Sequence, residues 1–123
     1  MNVLFFDTET TGKPKAYGVP YYHPDNWPRI IQLAWRLCKD TGEDLRIQSH
    51  LIKPKNWTVP TDPFWIENGH STERNNIHGL PLINVLGLFW DDLVQADIAV
   101  AHNVTFDKMV VAAELHGAKS THG

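Results

Sequence analysis

The chain has 123 residues, 42% of them hydrophobic, with five Trp and a formal net charge of −3. This suits one globular domain and excludes a disordered chain. No apolar run reaches the roughly 18 residues of a membrane span, and the start, Met1 to Asp7, lacks the basic residues and cleavage site of a secretory signal. Asn2 to Phe6 reads as a strand buried on both faces. Gly12 to Pro28 carries four prolines and is a loop. From Arg29 to Cys38 the pattern alternates, with Ile31, Leu33, Trp35 and Leu37 on one face and Gln32 and Arg36 on the other, as in a half-buried strand. Turn residues follow from Lys39 to Asp44. Leu45, Ile47 and Leu51 then share a face of a second strand, which predicts an antiparallel hairpin.

Asp62 as cap, Pro63 at the first position and Asn68-Gly69 at the end predict a short helix. Pro81 opens a longer helix to about Gln95, with Leu82, Val85, Leu86, Phe89 and Leu93 as its apolar stripe. Ile98 to Ala101 reads as a short buried strand. Thr105 can cap a last helix that buries Phe106, Met109, Val110 and Ala113 and ends at Gly117. A hairpin plus a helical crossover implies a mixed α/β sheet whose last strand runs parallel to the first.

Two clusters carry chemistry. The first strand ends in Phe5-Phe6-Asp7-Thr8-Glu9-Thr10-Thr11-Gly12. Residues two apart point the same way in a strand, so Asp7 and Glu9 offer two carboxylates on one side. Such a pair repels unless one acid is protonated or a cation sits between them, and Mg²⁺ takes hard oxygen ligands of this kind. Two solvated acids at a strand end would look the same in sequence. The second cluster is Ala101-His102-Asn103-Val104-Thr105-Phe106-Asp107. An acid in a first helical turn is favoured by the dipole alone. If the last strand lies beside the first, however, Asp107 approaches Asp7 and Glu9 at the end of the sheet where α/β proteins bind ligands.

FDTETTG resembles the first motif, and AHNVTFD the second, of the DEDD (DnaQ-like) 3′–5′ exonuclease family. Ile77-His78-Gly79-Leu80 resembles a segment found between them. The resemblance covers essentially the whole chain. It implies an RNase H-like fold, two divalent cations (Mg²⁺ or Mn²⁺), and stepwise removal of nucleotides from a single-stranded DNA 3′ end, with RNA possible. Proofreading, repair or phage replication would be the setting, and a DNA polymerase or replication complex the partner. Carried over by position, Asp7 would bridge both metals, Glu9 would bind one, and Asp107 would hold the second directly or through water. Thr8, Thr10, Thr11 and Gly12 would meet the terminal nucleotide, with His78, His102, Asn103 and Phe106 nearby.

The family's third motif, a His or Tyr followed by a final Asp, has no counterpart after Asp107; the one later acid is Glu114. The expectation is therefore a single exonuclease domain over residues 1–123 that is truncated at its C-terminus and impaired in activity. A catalytically inactive nucleic-acid-binding or interaction module of the same fold is the alternative. The lone Cys38 cannot form an internal disulfide, so a reducing, cytoplasmic setting is expected, in a phage's host or otherwise. The acidic balance argues against holding nucleic acid by bulk charge, though not against reaching phosphate through a cation.

Other residues are read as structural. Tyr17, Tyr21, Tyr22, His23 and Trp27 pin the long loop in preference to stacking on bases. Trp35, Trp65, Phe89 and Trp90 belong to or border the core, and His50 and His70 lie on the surface. Lys13, Lys15, Lys53 and Lys55 are solvated loop charges, with phosphate contact as the second choice.

Overall fold

The computed structural model describes residues 1–121. It contains β1 (Asn2–Thr10), β2 (Ile30–Lys39), β3 (Asp44–Leu51), α1 (Pro63–Glu67), α2 (Thr72–His78), α3 (Leu82–Leu93), β4 (Ile98–Ala101) and α4 (Val104–Thr121). The strands form one sheet in the order β3-β2-β1-β4. β2 is antiparallel to both β1 and β3, while β4 runs parallel to β1, with Phe6 opposite Ala101. This is the mixed sheet with flanking helices expected of an RNase H-like fold.

The core lies on one face of the sheet, where Leu4, Phe6, Leu33, Trp35 and Leu37 meet Val85, Leu86 and Phe89 of α3 and Val110 of α4. The predicted stripe of α3 is buried as expected at Leu82, Val85, Leu86 and Phe89. Trp90 is half exposed, contrary to expectation, because it sits one residue off that stripe. Asp92 is buried instead; it accepts hydrogen bonds from Trp35 Nε1 (2.7 Å) and Arg46 Nε (2.5 Å).

The opposite face is bare among the described residues. Phe5 is 43% exposed, Ile47 66%, Ile98 45% and Val100 38%. These residues share that face through the pairings of Phe5 with Arg36 and Val100, of Val3 with Ile98, and of Arg36 with Ile47. The two-sided burial predicted for Asn2 to Phe6 therefore fails, as does the buried strand at Ile98 to Ala101. β1 alternates instead, and among the described residues β4 is paired on its β1 side alone. An apolar run alone does not say how many layers cover it.

Several boundaries also differ. Helix α2, capped by Ser71, whose hydroxyl accepts from Arg74 N, falls in a stretch with no predicted element. Its end is stitched to β3. Asn75 is fully buried and donates to Ile31 O and Ile52 O, and a Cβ at Gly79 would lie 2.7 Å from Lys53 N and 2.3 Å from Asn75 O, so only glycine fits. His70 is buried rather than on the surface, with its amide bonded to Trp65 O. α4 runs through Gly117, which keeps a negative φ and does not end it.

Candidate functional site

Both chemical clusters lie at the C-terminal end of β1. Asp7 and Glu9 follow Phe5 on the bare face by the strand's alternation, with Asp7 exposed. Thr8 faces the helices and is buried. Its hydroxyl donates to Asp107 Oδ1 at 2.5 Å. Asp107 is only 3% exposed, and its Oδ2 accepts from Asn103 N at 3.4 Å. Asn103 in turn caps α4: its Oδ1 accepts from Phe106 N at 3.4 Å and its carbonyl from Asp107 N at 2.9 Å. The helix thus starts before Thr105, the predicted cap, because Asn103 reaches the free amides first.

The acids of the two clusters act on one another. Asp7's carboxyl sits above its usual 3.8, first because of partial burial and then because of Asp107's charge; the Thr8 amide and His102 pull it back. Even so, among the described residues no group of three or more His, Cys, Asp and Glu side chains could hold a metal ion. Asp107 lies at the expected end of the sheet but behind β1, tied to Thr8. Asp7 and Glu9 project from the other face, so the expected three-carboxylate cluster is not assembled.

The loop after β1 is held by the protein itself. Thr10 Oγ1 donates to Gly12 O (2.8 Å), and Thr10 O accepts from Trp65 Nε1 (2.9 Å). Thr11 N donates to Arg29 O (3.0 Å), and Thr11 Oγ1 accepts from Arg29 N (3.0 Å). His78 and His102 are exposed. Phe106 and Asn103 border a cavity of about 330 Å³ closed by Pro14, Tyr17 and Trp27 of the long loop. Trp27 pins that loop as expected: it is buried, and its Nε1 donates to Pro20 O at 3.2 Å.

Sequence reasoning missed a brace behind the site. Glu114 of α4 accepts from Arg29 Nε (2.9 Å) and Ile30 N (3.3 Å), and Arg29 is the residue that grips Thr11. Burial raises Glu114's pKa, while Arg29 and the Ile30 amide lower it. One signal was present, since Glu114 lies seven residues after Asp107, two helical turns along the same face.

No family model matches the chain, and no curated protein matches it. Solved structures do. E. coli exonuclease I in complex with a dA16 oligonucleotide superposes with a TM-score of 0.69 at 18% identity, over 89% of this chain and 22% of that one. A moderately thermophilic exonuclease I from Methylocaldum szegediense gives 0.69 at 16% identity with the same coverage. A zinc-bound form of the E. coli enzyme with single-stranded DNA gives 0.69 at 18% identity. The chain spans 22% of the length of these proteins, and at such identity the likeness establishes the RNase H-like fold.

Proposed function

We propose that this chain carries the first part of a metal-dependent 3′–5′ exonuclease site acting on single-stranded DNA, with single-stranded RNA as the second substrate. The observation that carries the reading is Asp107 locked beside β1 by Thr8, close enough to raise the pKa of Asp7. Motif residues 100 positions apart thereby come to the same end of the sheet, on its two faces. The fold shared with exonuclease I supports the same reading.

The donors are hard carboxylate oxygens, which suit Mg²⁺ or Mn²⁺; such ions commonly take one or two carboxylates and keep several waters. Asp7 and Glu9 would supply those carboxylates, and Asp107 would act through water. A bound ion pair of this kind supplies an activated water and charge for the leaving 3′ oxygen. The chain's own residues set the stage. Thr8 and Asn103 fix Asp107, Arg29 and Trp65 hold the Thr10–Thr11 backbone, and His102 places a titratable ring near Asp7.

A single strand labelled at its 5′ end tests the reading. Incubated with Mn²⁺ and an excess of the protein, it should shorten slowly and stepwise from the 3′ end, and an Asp7→Asn variant should leave it intact. Internal cuts in a strand blocked at its 3′ end would overturn the assignment. A second reading, an inactive nucleic-acid-binding module, is favoured by one observation: the carboxylates do not form a metal-holding group among the described residues. Strand binding without trimming in either metal would select it. Proofreading, repair and a polymerase partner rest on the motif resemblance alone.

A further inference from the structure

A recess of about 300 Å³ opens between the end of β3 and the start of α3. It lies at the same end of the sheet as Asp7: Gln32 pairs with both Glu9 and Leu51, and Lys53 follows Leu51 by two residues. Its lining includes Arg29, Lys53, Lys55, Trp57 and Leu82, and no carboxylate. In a chain of net charge −3, three cations around one recess reverse the local sign.

The cations are prepared for an anion. Arg29 is fixed by Glu114 at 2.9 Å, and its guanidinium stands 5.7 Å from the Trp57 ring. That ion pair offsets the charge of Arg29, so the recess owes its net positive charge to the lysines. Lys53 and Lys55 are exposed, and neither side chain makes a hydrogen bond or ion pair among the described residues. The backbone of Lys53 is anchored by Leu80 O at 2.8 Å and by the tight approach of Gly79, so the first lysine projects from a rigid point. Trp57 and Leu82 add an apolar wall. Arg29 also connects the recess to the candidate site, because its backbone grips Thr11, two residues beyond Glu9.

We propose that this recess seats a backbone phosphate of the same strand whose 3′ end lies at Asp7, several nucleotides upstream of that end. The inference rests on the proposed function. β1 and β3 are two strand spacings apart, roughly 10 Å, or about three nucleotide steps at about 3.4 Å each, so an oligonucleotide spans both places while a mononucleotide fills only the first. Lys53 and Lys55 then leave the class of solvated loop charges. Lys13 and Lys15, which do not line the recess, stay in it.

The test compares the chain with a Lys53→Ala/Lys55→Ala variant, using anisotropy of labelled oligothymidylate in EDTA so that nothing is cleaved. For an oligonucleotide of about twelve residues, within the usual range of single-strand sites, the variant should bind about tenfold more weakly. The slope of log affinity against log salt should become shallower by about 0.7, the value for the one phosphate that the lysines no longer neutralise. A thymidine mononucleotide should bind both proteins equally, and Lys13→Ala/Lys15→Ala should change neither result.

Equal binding of the long strand by both proteins would overturn the recess. An equal loss for the mononucleotide would overturn its upstream placement. Saturation by inorganic phosphate without any strand binding would assign the recess to a free anion and overturn the strand. Absence of strand binding by the unaltered chain would overturn the inference as well. Titration of Mn²⁺ into the unaltered chain and an Asp7→Ala variant judges the exonuclease reading separately, since the lysines take no part in it.

Discussion

Thr8 and Asp107, 99 residues apart in sequence, are joined by a 2.5 Å hydrogen bond within the protein interior. The bond couples β1 to the first turn of α4. A carboxylate 3% exposed must have its oxygens occupied, and among the described residues Thr8 and Asn103 do so. The residue between the two motif acids of β1 is therefore a structural partner of the third acid.

Replacing Thr8 with Val keeps the shape and removes that donor. Hydrogen bonds to charged groups contribute about 1.5–3 kcal/mol, so Thr8→Val should lose stability of that order in urea unfolding at neutral pH. Thr8→Ser should retain most of it. A Val variant as stable as the parent would mean that water satisfies Asp107.

Asp7 should show the opposite sign. Its folded pKa is raised above 3.8 by partial burial and then by the charge of Asp107. The folded state thus favours the protonated acid. That contribution is fully present below the unfolded value and is lost as pH rises through the raised one. At neutral pH the ionised carboxylate opposes folding, so Asp7→Asn should raise the melting temperature in EDTA while Mn²⁺ binding falls. The stability gap should close as pH drops into the acid range. A gap independent of pH would remove the coupling to Asp107.

Much of this was legible in the sequence. The alternation from Ile31 to Leu37 gave the correct face of β2, and the stripe from Leu82 to Phe89 gave the buried side of α3. The acids at Asp7, Glu9 and Asp107 fell at one end of the sheet because Asp7 and Glu9 lie in the last part of β1 and Asp107 follows the end of β4. The missed features depend on packing between distant segments. Gly79 is required by a backbone approach to Lys53, and His70, whose amide is held by Trp65 O, is buried. Whether Asp107 faces a crevice or the underside of β1 is decided by the packing of α4, which an amphipathic pattern does not orient to that degree.

The bare sheet face has its own consequence. Phe5, Ile47, Ile98 and Val100 leave apolar surface exposed, and β4 has no neighbour on its outer side among the described residues. Contiguous apolar surface and an open strand edge favour association. The 123-residue chain should sediment as dimers or larger species at micromolar concentration, and Ile98→Lys with Val100→Lys should shift it toward monomer. A monomer at high concentration would require the face to be masked in solution.

The last prediction concerns rate. After Asp107 the sequence offers no His or Tyr followed by Asp, and its one acid, Glu114, is buried and bonded to Arg29 and Ile30. Glu114 therefore cannot take a proton from an attacking water without breaking the brace that holds Thr11. A positioned general base is typically worth about 10²–10⁴ in rate. On the exonuclease reading, the fourth carboxylate that the motif resemblance implies would have no counterpart here, leaving more of a cation's coordination to water. The two losses fall on one step and need not add. The 123 residues alone should trim a labelled single strand only marginally, and a chain extended by a segment bearing a His and an Asp should recover at least the factor expected of the base. The comparison requires both proteins as monomers at equal Mn²⁺. Brisk, metal-dependent trimming by the shorter chain would place the base among residues already described, with His102, exposed and within electrostatic reach of Asp7, as the first to mutate.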